Sequence, residues 1–391
     1  MALSLAVVII LGLIFNKLFI KMKLPGLLGM LVLGVILGPY GINILSEDLL
    51  NISGDLRKIA LIIILLRAGF GIKRETLNKV GPTAFKISLI PVVLEGFAIL
   101  FLSRYILDIS FIEAGILGFI IAAVSPAVIV PQMLNLIERK KGEAKGIPTI
   151  ILAGASIDDV VAITIFTAFL GLYGAEQINI LTQFISIPIS IVLGILLGIV
   201  LALVMLFIFK RVEMRATKKT LVVLGAAILL TSLEDAVGNI IPIASLLGVM
   251  TIGFIILEKA PDMSEKLSNK FNKIWVFAEI LLFVLVGAKV NIYVATDAGF
   301  VGLIIIIIGL SARSLGVYIS LIGTDLNIKE KVFCMISFVP KATVQAAIGA
   351  VPLAAGVPAG ELILALAVLS IVITAPLGAI GIQATAEKFL E

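Results

Sequence analysis

Apolar stretches long enough to cross a bilayer recur along the whole chain, separated by short polar breaks. They fall at about residues 2–20, 24–42, 56–72, 83–107, 111–136, 146–172, 180–209, 219–233, 240–257, 271–288, 299–322, 330–352 and 361–384. These runs predict thirteen membrane-spanning helices. The first run lacks a basic leading region and a small-residue cleavage site, so it reads as a span and not as a signal peptide. Between and after the spans no stretch is long enough for a soluble domain.

Composition narrows the class. The 391 residues are 61% hydrophobic and 14% charged, with a mean hydropathy of +1.23. Soluble domains carry roughly 45–50% apolar and about 25% charged residues. A water-soluble enzyme, a nucleic-acid binder and a disordered chain are thereby excluded, and the formal charge of +5 belongs to loops facing the cytoplasm. Alternate connections, starting after the first span and ending at the C-terminus, hold 23 of the 30 Lys and Arg residues. Arg139, Lys140, Lys141 and Lys145 form one such cluster, and Lys210, Arg211, Arg215, Lys218 and Lys219 another. The opposite side holds only Arg57, Lys58, Arg104 and Lys289. The positive-inside rule then puts the N-terminus outside and the C-terminus in the cytoplasm, as in a cell-membrane protein. Cys334 is the only cysteine, so no intramolecular disulfide forms, and no cofactor is called for. Histidine is absent, which leaves proton chemistry to carboxylates and lysine.

Short matches recur at a nearly constant offset. Leu27-Leu28-Gly29 with Gly34 matches Leu246-Leu247-Gly248 with Gly253, 219 residues later. Leu65-Leu66, Gly71 and Lys73 match Leu281-Leu282, Gly287 and Lys289, 216 later, and Pro126 with Val130-Pro131 faces Pro340, 214 after Pro126. A shift of seven spans reverses membrane direction, so the two halves predict an inverted-topology repeat, a common transporter construction. The expected fold is an all-α polytopic membrane protein. Its first repeat covers 1–175, a linker span lies in 176–217, and the second repeat covers 218–391. Prolines at 126, 131 and 340 predict two crossing discontinuous helices, because proline removes a backbone donor and clashes with the preceding turn. Freed backbone groups survive at membrane depth only when buried in protein or lining a wet cavity.

Seven ionisable residues fall within spans: Arg67, Glu95, Asp158, Asp159, Glu279, Arg313 and Lys341. A charge at the centre of a membrane helix costs at least ~2.5–3.5 kcal/mol, so each is a functional candidate. Asp158 and Asp159 sit midway along the sixth span. Neighbouring helix positions point ~100° apart, so one carboxylate faces a basic partner while the other faces an ion cavity. Ser156, three residues before Asp159, adds a hydroxyl on nearly the same face. An all-oxygen site suits hard cations such as Na⁺ or Li⁺. A carboxylate that holds either a proton or a cation is a minimal exchanger. Lys341, just after Pro340, is either a partner for a sixth-span aspartate or a static charge offsetting exposed carbonyls. Arg313 and Glu95 read as a structural pair, and Arg67 and Glu279 as scaffold or dimer-side charges.

The segments Leu66-Arg67-Ala68-Gly69-Phe70-Gly71, Ala123-Val124-Ser125-Pro126-Ala127-Val128, Gly154 to Asp159, and Pro340-Lys341-Ala342-Thr343-Val344-Gln345-Ala346-Ala347 together resemble the monovalent cation/proton antiporters. The likeness is closest to NHA-type sodium/proton exchangers of the two-aspartate branch. That resemblance implies a homodimer, with a mobile core domain from spans 4–6 and 11–13 and a dimerisation domain from spans 1–3 and 8–10. It implies that Asp159 is the main cation and proton site and that Asp158 is its partner, bridged to Lys341. Ser125 and Ser156 would complete the ion's coordination, and Glu95 with Arg313 would form a core salt bridge. Arg313 stands where much of that branch has a titrating lysine, which points to one-for-one, electroneutral exchange. An intramembrane aspartyl protease would need aspartates on separate helices. A sodium-coupled symporter would need a polar solute cleft. A K⁺/H⁺ antiporter is the further alternative.

Overall fold

The computed structural model describes residues 1–22, 24–71, 74–173, 180–237 and 243–390. Lys23 and Lys73, counted above among the loop cations and repeat matches, lie outside the described residues. So do the side chains of Pro126, Pro131 and Ser156.

Each described regular element is a helix. The first half comprises α1 (Ala2–Lys21), α2 (Gly26–Leu37), α3 (Glu47–Asn51), α4 (Ser53–Gly71), α5 (Arg74–Ile106), α6 (Phe111–Ala122), α7 (Pro126–Glu138) and α8 (Ile147–Leu172). Then come α9 (Ile180–Arg211), α10 (Ala216–Val237), α11 (Ser245–Lys259), α12 (Pro261–Lys289), α13 (Ile292–Asp297) and α14 (Gly299–Ser320). The chain closes with α15 (Ile328–Ser337), α16 (Thr343–Ile348), α17 (Val351–Ala354) and α18 (Gly360–Phe389). Helix therefore falls on every one of the thirteen apolar stretches. Among the described residues, eight helices are long and apolar enough to cross a membrane, with shorter apolar ones at Gly26–Leu37, Phe111–Ala122 and Thr343–Ala354. The difference from thirteen has a physical source: two stretches are split by breaks, and others are short or carry several charges.

The first break is narrower than the prolines suggest. Helix α6 stops at Ala122, Ala123 and Ser125 are extended, and Pro126 begins α7 in the first turn, where its missing N–H costs nothing. Position 131 lies inside α7 and does not break it. The second break runs from Phe338 to Ala342, between α15 and α16, and contains Pro340 as expected. The helix leading into each break starts with a capping box, Ser110 with Glu113 in α6 and Asn327 with Glu330 in α15. Each box ties two orphan amides to side chains and so fixes where a short helix begins.

Packing separates two groups of helices. In one, α5, α6, α8 and α14 pack closely with α18 and the broken segments. In the other, α2 packs on α12 and α4 on α11, with α1 and α9 outside them. Glycines set the second group's spacing. A side-chain carbon on Gly34 would overlap the carbonyl oxygen of Val284, and one on Gly287 that of Leu31. In the other seam, a carbon on Gly253 would approach the carbonyl of Leu66, and one on Gly69 would overlap that of Met250. The contact partners in the second seam lie 218 or 219 residues from their counterparts in the first. This packing register matches Gly69 to Gly287, two residues away from the Gly71 match read in the sequence.

Candidate ion site at the crossed helix breaks

The two breaks touch. The Ser125 amide donates to the Pro340 carbonyl at 2.8 Å, and the Thr343 amide donates to Ser125 Oγ at 3.4 Å. Stopping α6 at mid-depth leaves its last carbonyls without the amides of a next turn. Side chains from the second half supply the missing donors. Gln345 Nε2 reaches the carbonyls of Ile120, Ile121 and Ala123 at 3.0, 3.3 and 2.7 Å. Ala122 accepts from Arg313 Nη2, and from Lys341 Nζ at 3.3 Å. Cations at a helix C-terminus also oppose its negative dipole end.

Four charges form a closed, buried network beside this end. Arg313 Nε donates to Glu95 Oε2, and Arg313 Nη1 to Asp158 Oδ1 at 2.9 Å. Lys341 Nζ donates to the same Glu95 Oε2 at 2.7 Å. The second oxygen of Asp158 accepts the Val124 amide, in the first break, at 2.9 Å. All four side chains are at most 1% exposed. Two carboxylates and two cations sum to zero.

Asp159 is the fifth charge and has no such partner among the described residues. Its Oδ1 is buried without a hydrogen bond, and the residue is 8% exposed whereas Asp158 is fully covered. As expected from adjacent helix positions, one aspartate engages the basic network and the other points elsewhere. An isolated ionised carboxylate at such depth is costly unless something positive joins it. The chemistry left to Asp159 is to carry one proton or one small cation. Glu95 Oε1 and Gln345 Oε1 are also buried without partners in this region.

The structure thus brings together Asp158, Asp159, Ser125, Glu95, Arg313 and Lys341. It re-pairs two of them: Lys341 bonds Glu95, and the expected Asp158–Lys341 bridge is not formed among the described residues. Arginine's planar fork spans two carboxylates at once, which a single ammonium does not, so Arg313 holds both Glu95 and Asp158. Ser156 is on α8 by its backbone, and its side chain lies outside the described residues. Arg67 is elsewhere, donating to Asn272 Oδ1 at 2.8 Å and lying over the Trp275 ring at 5.1 Å. Sequence reasoning gave no role to Gln345, Thr343 or Thr374, whose Oγ1 accepts the Lys341 amide at 2.8 Å. A signal existed for Gln345, one helical turn after Lys341 in the same segment. The Glu95–Arg313 and Ser125–Thr343 pairs each join residues 218 apart, the register of the glycine seams.

Comparison with known proteins supplies the family. The chain matches the family model described as sodium/hydrogen exchanger, transmembrane, over residues 4–388. It is 33% identical over 381 residues to sodium/hydrogen exchanger 9B2 of Mus musculus, covering 94% of this chain and 69% of that one. The human protein of the same name is also 33% identical, over 94% of this chain and 70% of its own. In fold, it superposes on the sodium proton antiporter MjNhaP1 from Methanocaldococcus jannaschii with a TM-score of 0.83, at 23% identity, covering 98% and 97% of the two chains. A match running through both helix breaks and every charged residue of the network shows that the chain belongs to the transmembrane sodium/hydrogen exchanger family.

Proposed function

We propose that this chain performs the sodium/proton exchange of its family at Asp159, with proton and Na⁺ competing for one carboxylate. The observation that carries this reading is the unpartnered Oδ1 of Asp159 beside a network that is already neutral. A bare Asp159 is then the one uncompensated charge of this cluster, and its burial disfavours moving it empty. Loading it with a proton or with Na⁺ removes that penalty equally, so the two loaded forms cross and the empty one does not. That restriction is what couples the two ions. Ser125, at the extended break, and Ser156, three residues before Asp159 in the sequence, are the hydroxyl ligands that would join the carboxylate around the cation. Asp158, Glu95, Arg313 and Lys341 hold charge balance and position.

The group containing α5 to α8 and α14 to α18 acts as the moving core, and the glycine-packed α2, α4, α11 and α12 as the scaffold. The repeated register of 218 or 219 residues supports an inverted repeat. Thirteen crossings, with the N-terminus outside the cell membrane, follow from the lysine-rich alternate loops. A homodimer through the scaffold side fits the largely uncovered α1, where Leu3, Ile10, Leu13 and Ile14 are exposed. The test is cation-induced dequenching of a pH dye in proteoliposomes. Na⁺ and Li⁺ are expected to move protons through the wild type and not through Asp159→Asn. Wild-type rates in that purified variant would remove the assignment.

A further inference from the structure

Apart from the ion site, a small cavity lined in part by side-chain oxygens lies between the proposed core and scaffold. Its closed volume is about 10 Å³, room for one water molecule or one small cation. Core helix α8 contributes Ile163, Thr164 and Thr167, while the facing wall includes Leu65 of α4, Glu234 of α10 and Ser245 of α11. Glu234 closes an apolar stretch, Ala216–Glu234, that is itself long enough to cross a membrane. Glu234 is half-buried at that end and lines the cavity.

Ser245 Oγ donates to Glu234 Oε2, while the first turn of α11 receives no side-chain cap at its N-cap residue. The carboxylate is therefore joined to a hydroxyl that keeps its own lone pairs. Across the cavity, Thr167 Oγ1 donates to the Thr164 carbonyl at 2.9 Å, which likewise leaves that hydroxyl oxygen able to accept. Carboxylate and hydroxyl oxygens, with no side-chain nitrogen among the lining residues, are the set a hard monovalent cation takes.

Placement ties the cavity to the exchange route. Asp159, Ile163 and Thr167 are successive i, i+4 positions on one face of α8. At 1.5 Å of rise per residue, the cavity begins ~6 Å beyond Asp159 and extends to ~12 Å. It lies toward the C-terminal end of α8, away from the basic loop before that helix. That loop is fastened at the other end of the core, with Lys145 on Glu330 at 2.9 Å and Arg139 on Glu387. One wall belongs to the core and the others to the scaffold, so a movement of the core changes the distance between the Thr167 and Glu234 oxygens.

We propose that this cavity is a second, weaker monovalent-cation site, at which Glu234, Ser245 and Thr167 take up Na⁺ on the outer side before it passes to Asp159. The proposal rests on the assignment of Asp159 as the deep site, and its test separates the two. Full-length Asp159→Asn protein is melted in NaCl against choline chloride at equal ionic strength. The expected result is a residual Na⁺-dependent rise in melting temperature that half-saturates at a higher concentration than in the wild type, and that Glu234→Gln abolishes in the same background. In proteoliposomes, Glu234→Gln should raise the KM for Na⁺ supplied from the outer side about tenfold, as loss of one charge-assisted ligand does, with Glu234→Asp recovering part of it. No Na⁺ response in Asp159→Asn, or a response that survives Glu234→Gln, overturns the second site. Exchange persisting in Asp159→Asn overturns the deep site instead. Should Glu234→Gln fail to fold, Ser245→Ala provides the same two readouts, and an unchanged KM in it counts against the proposal.

Discussion

Two seams in this molecule are built at the same sequence register and do opposite things with their backbones. Where α2 meets α12, and α4 meets α11, glycines bring helices so close that backbone touches backbone and the neighbouring side chains are apolar. Where α6 and α7 meet α15 and α16, the helices are broken, and their exposed carbonyls are covered by Gln345, Arg313 and Lys341. The first arrangement has no slack, because a methyl group on its glycines has nowhere to go. The second exchanges helix hydrogen bonds for side-chain donors, each from the other half of the chain. Rigidity in one seam and buried polar groups in the other fit the scaffold and the moving core proposed above.

The largest expected effect breaks the rigid seam. Gly34→Val places a branched side chain where the Val284 carbonyl already sits, with backbone and not a flexible side-chain tip in the way. Overpacking commonly costs about 1–3 kcal/mol and more when backbone must shift, so loss of folded protein in size-exclusion chromatography is the outcome anticipated. Gly225, where an added methyl group would meet nothing within 4 Å, is the control. Gly225→Ala should melt at or above the wild-type temperature, since alanine favours helix by ~1 kcal/mol over glycine. Equal damage from both would mean that close approach is not what holds the scaffold together.

Next in size is Asp159→Asn, which takes function from the polar seam while sparing the fold. The ion pairs of Arg313 and Lys341 run to Glu95 and Asp158 and not to Asp159, so the neutral network stays intact. Exchange of Na⁺ and Li⁺ should vanish, with melting in the absence of Na⁺ within a few degrees of wild type. A collapsed melting transition would show that Asp159 carries structural weight and that the two aspartates are not divided as described.

Much of this division is legible in the sequence alone. Among the described residues helix falls on each of the thirteen apolar stretches, and a proline stands at both breaks, because helix formation in lipid is dictated by apolar length and local backbone chemistry. The cluster of candidate residues is legible too, since charges at depth are few. Which charge meets which is legible only in part: the Glu95–Arg313 pair forms as expected, whereas the partner of Asp158 does not. Pairing depends on side-chain reach in three dimensions, and Arg313 spans Glu95 and Asp158 where the family resemblance implies Lys341 as the partner of Asp158. Gln345 escapes notice for a related reason: an amide is unremarkable in a sequence until it is found facing the open end of a helix.

The re-paired network predicts an order among its cations. Arg313→Met leaves Asp158 with only the Val124 amide and removes a donor from Ala122, so a loss of about 3–5 kcal/mol is expected from breaking a buried pair. Lys341→Met leaves Glu95 still bonded to Arg313, and the smaller cost of about 1.5–3 kcal/mol for one charged hydrogen bond applies. Asp158→Asn should resemble the arginine variant, because it strands one arm of the guanidinium. Thermal melting of the three proteins ranks them. A larger loss for Lys341→Met than for Arg313→Met would restore the Asp158–Lys341 bridge as the principal bond.

The smallest expected signal concerns charge moved per cycle, and it follows from the same arithmetic of the core. Glu95, Asp158, Arg313 and Lys341 cancel, and in the proposed cycle Asp159 crosses with one proton or with one Na⁺. Both loaded forms of the core then have the same net charge, and electroneutral exchange is the expected outcome. Lys341 would alter this only by releasing a proton during the cycle, against the 2.7 Å bond that holds its ammonium to Glu95. Arg313 has no proton to give at any pH at which the protein is folded. Solid-supported-membrane recordings at symmetric pH should therefore show no sustained Na⁺-driven charge displacement that scales with turnover. The informative contrast is Arg313→Lys, which keeps a cation between Glu95 and Asp158 but makes it one that can lose its proton. If that lysine titrates with the aspartates, net charge crosses with each turnover, and a potential of 100 mV then biases transport by ~2.3 kcal/mol per charge. A current in the variant and none in the wild type would assign electroneutrality to the arginine. A wild-type current of turnover size would instead mean that a second group in the polar seam, Lys341 or Asp158, gives up a proton during the cycle.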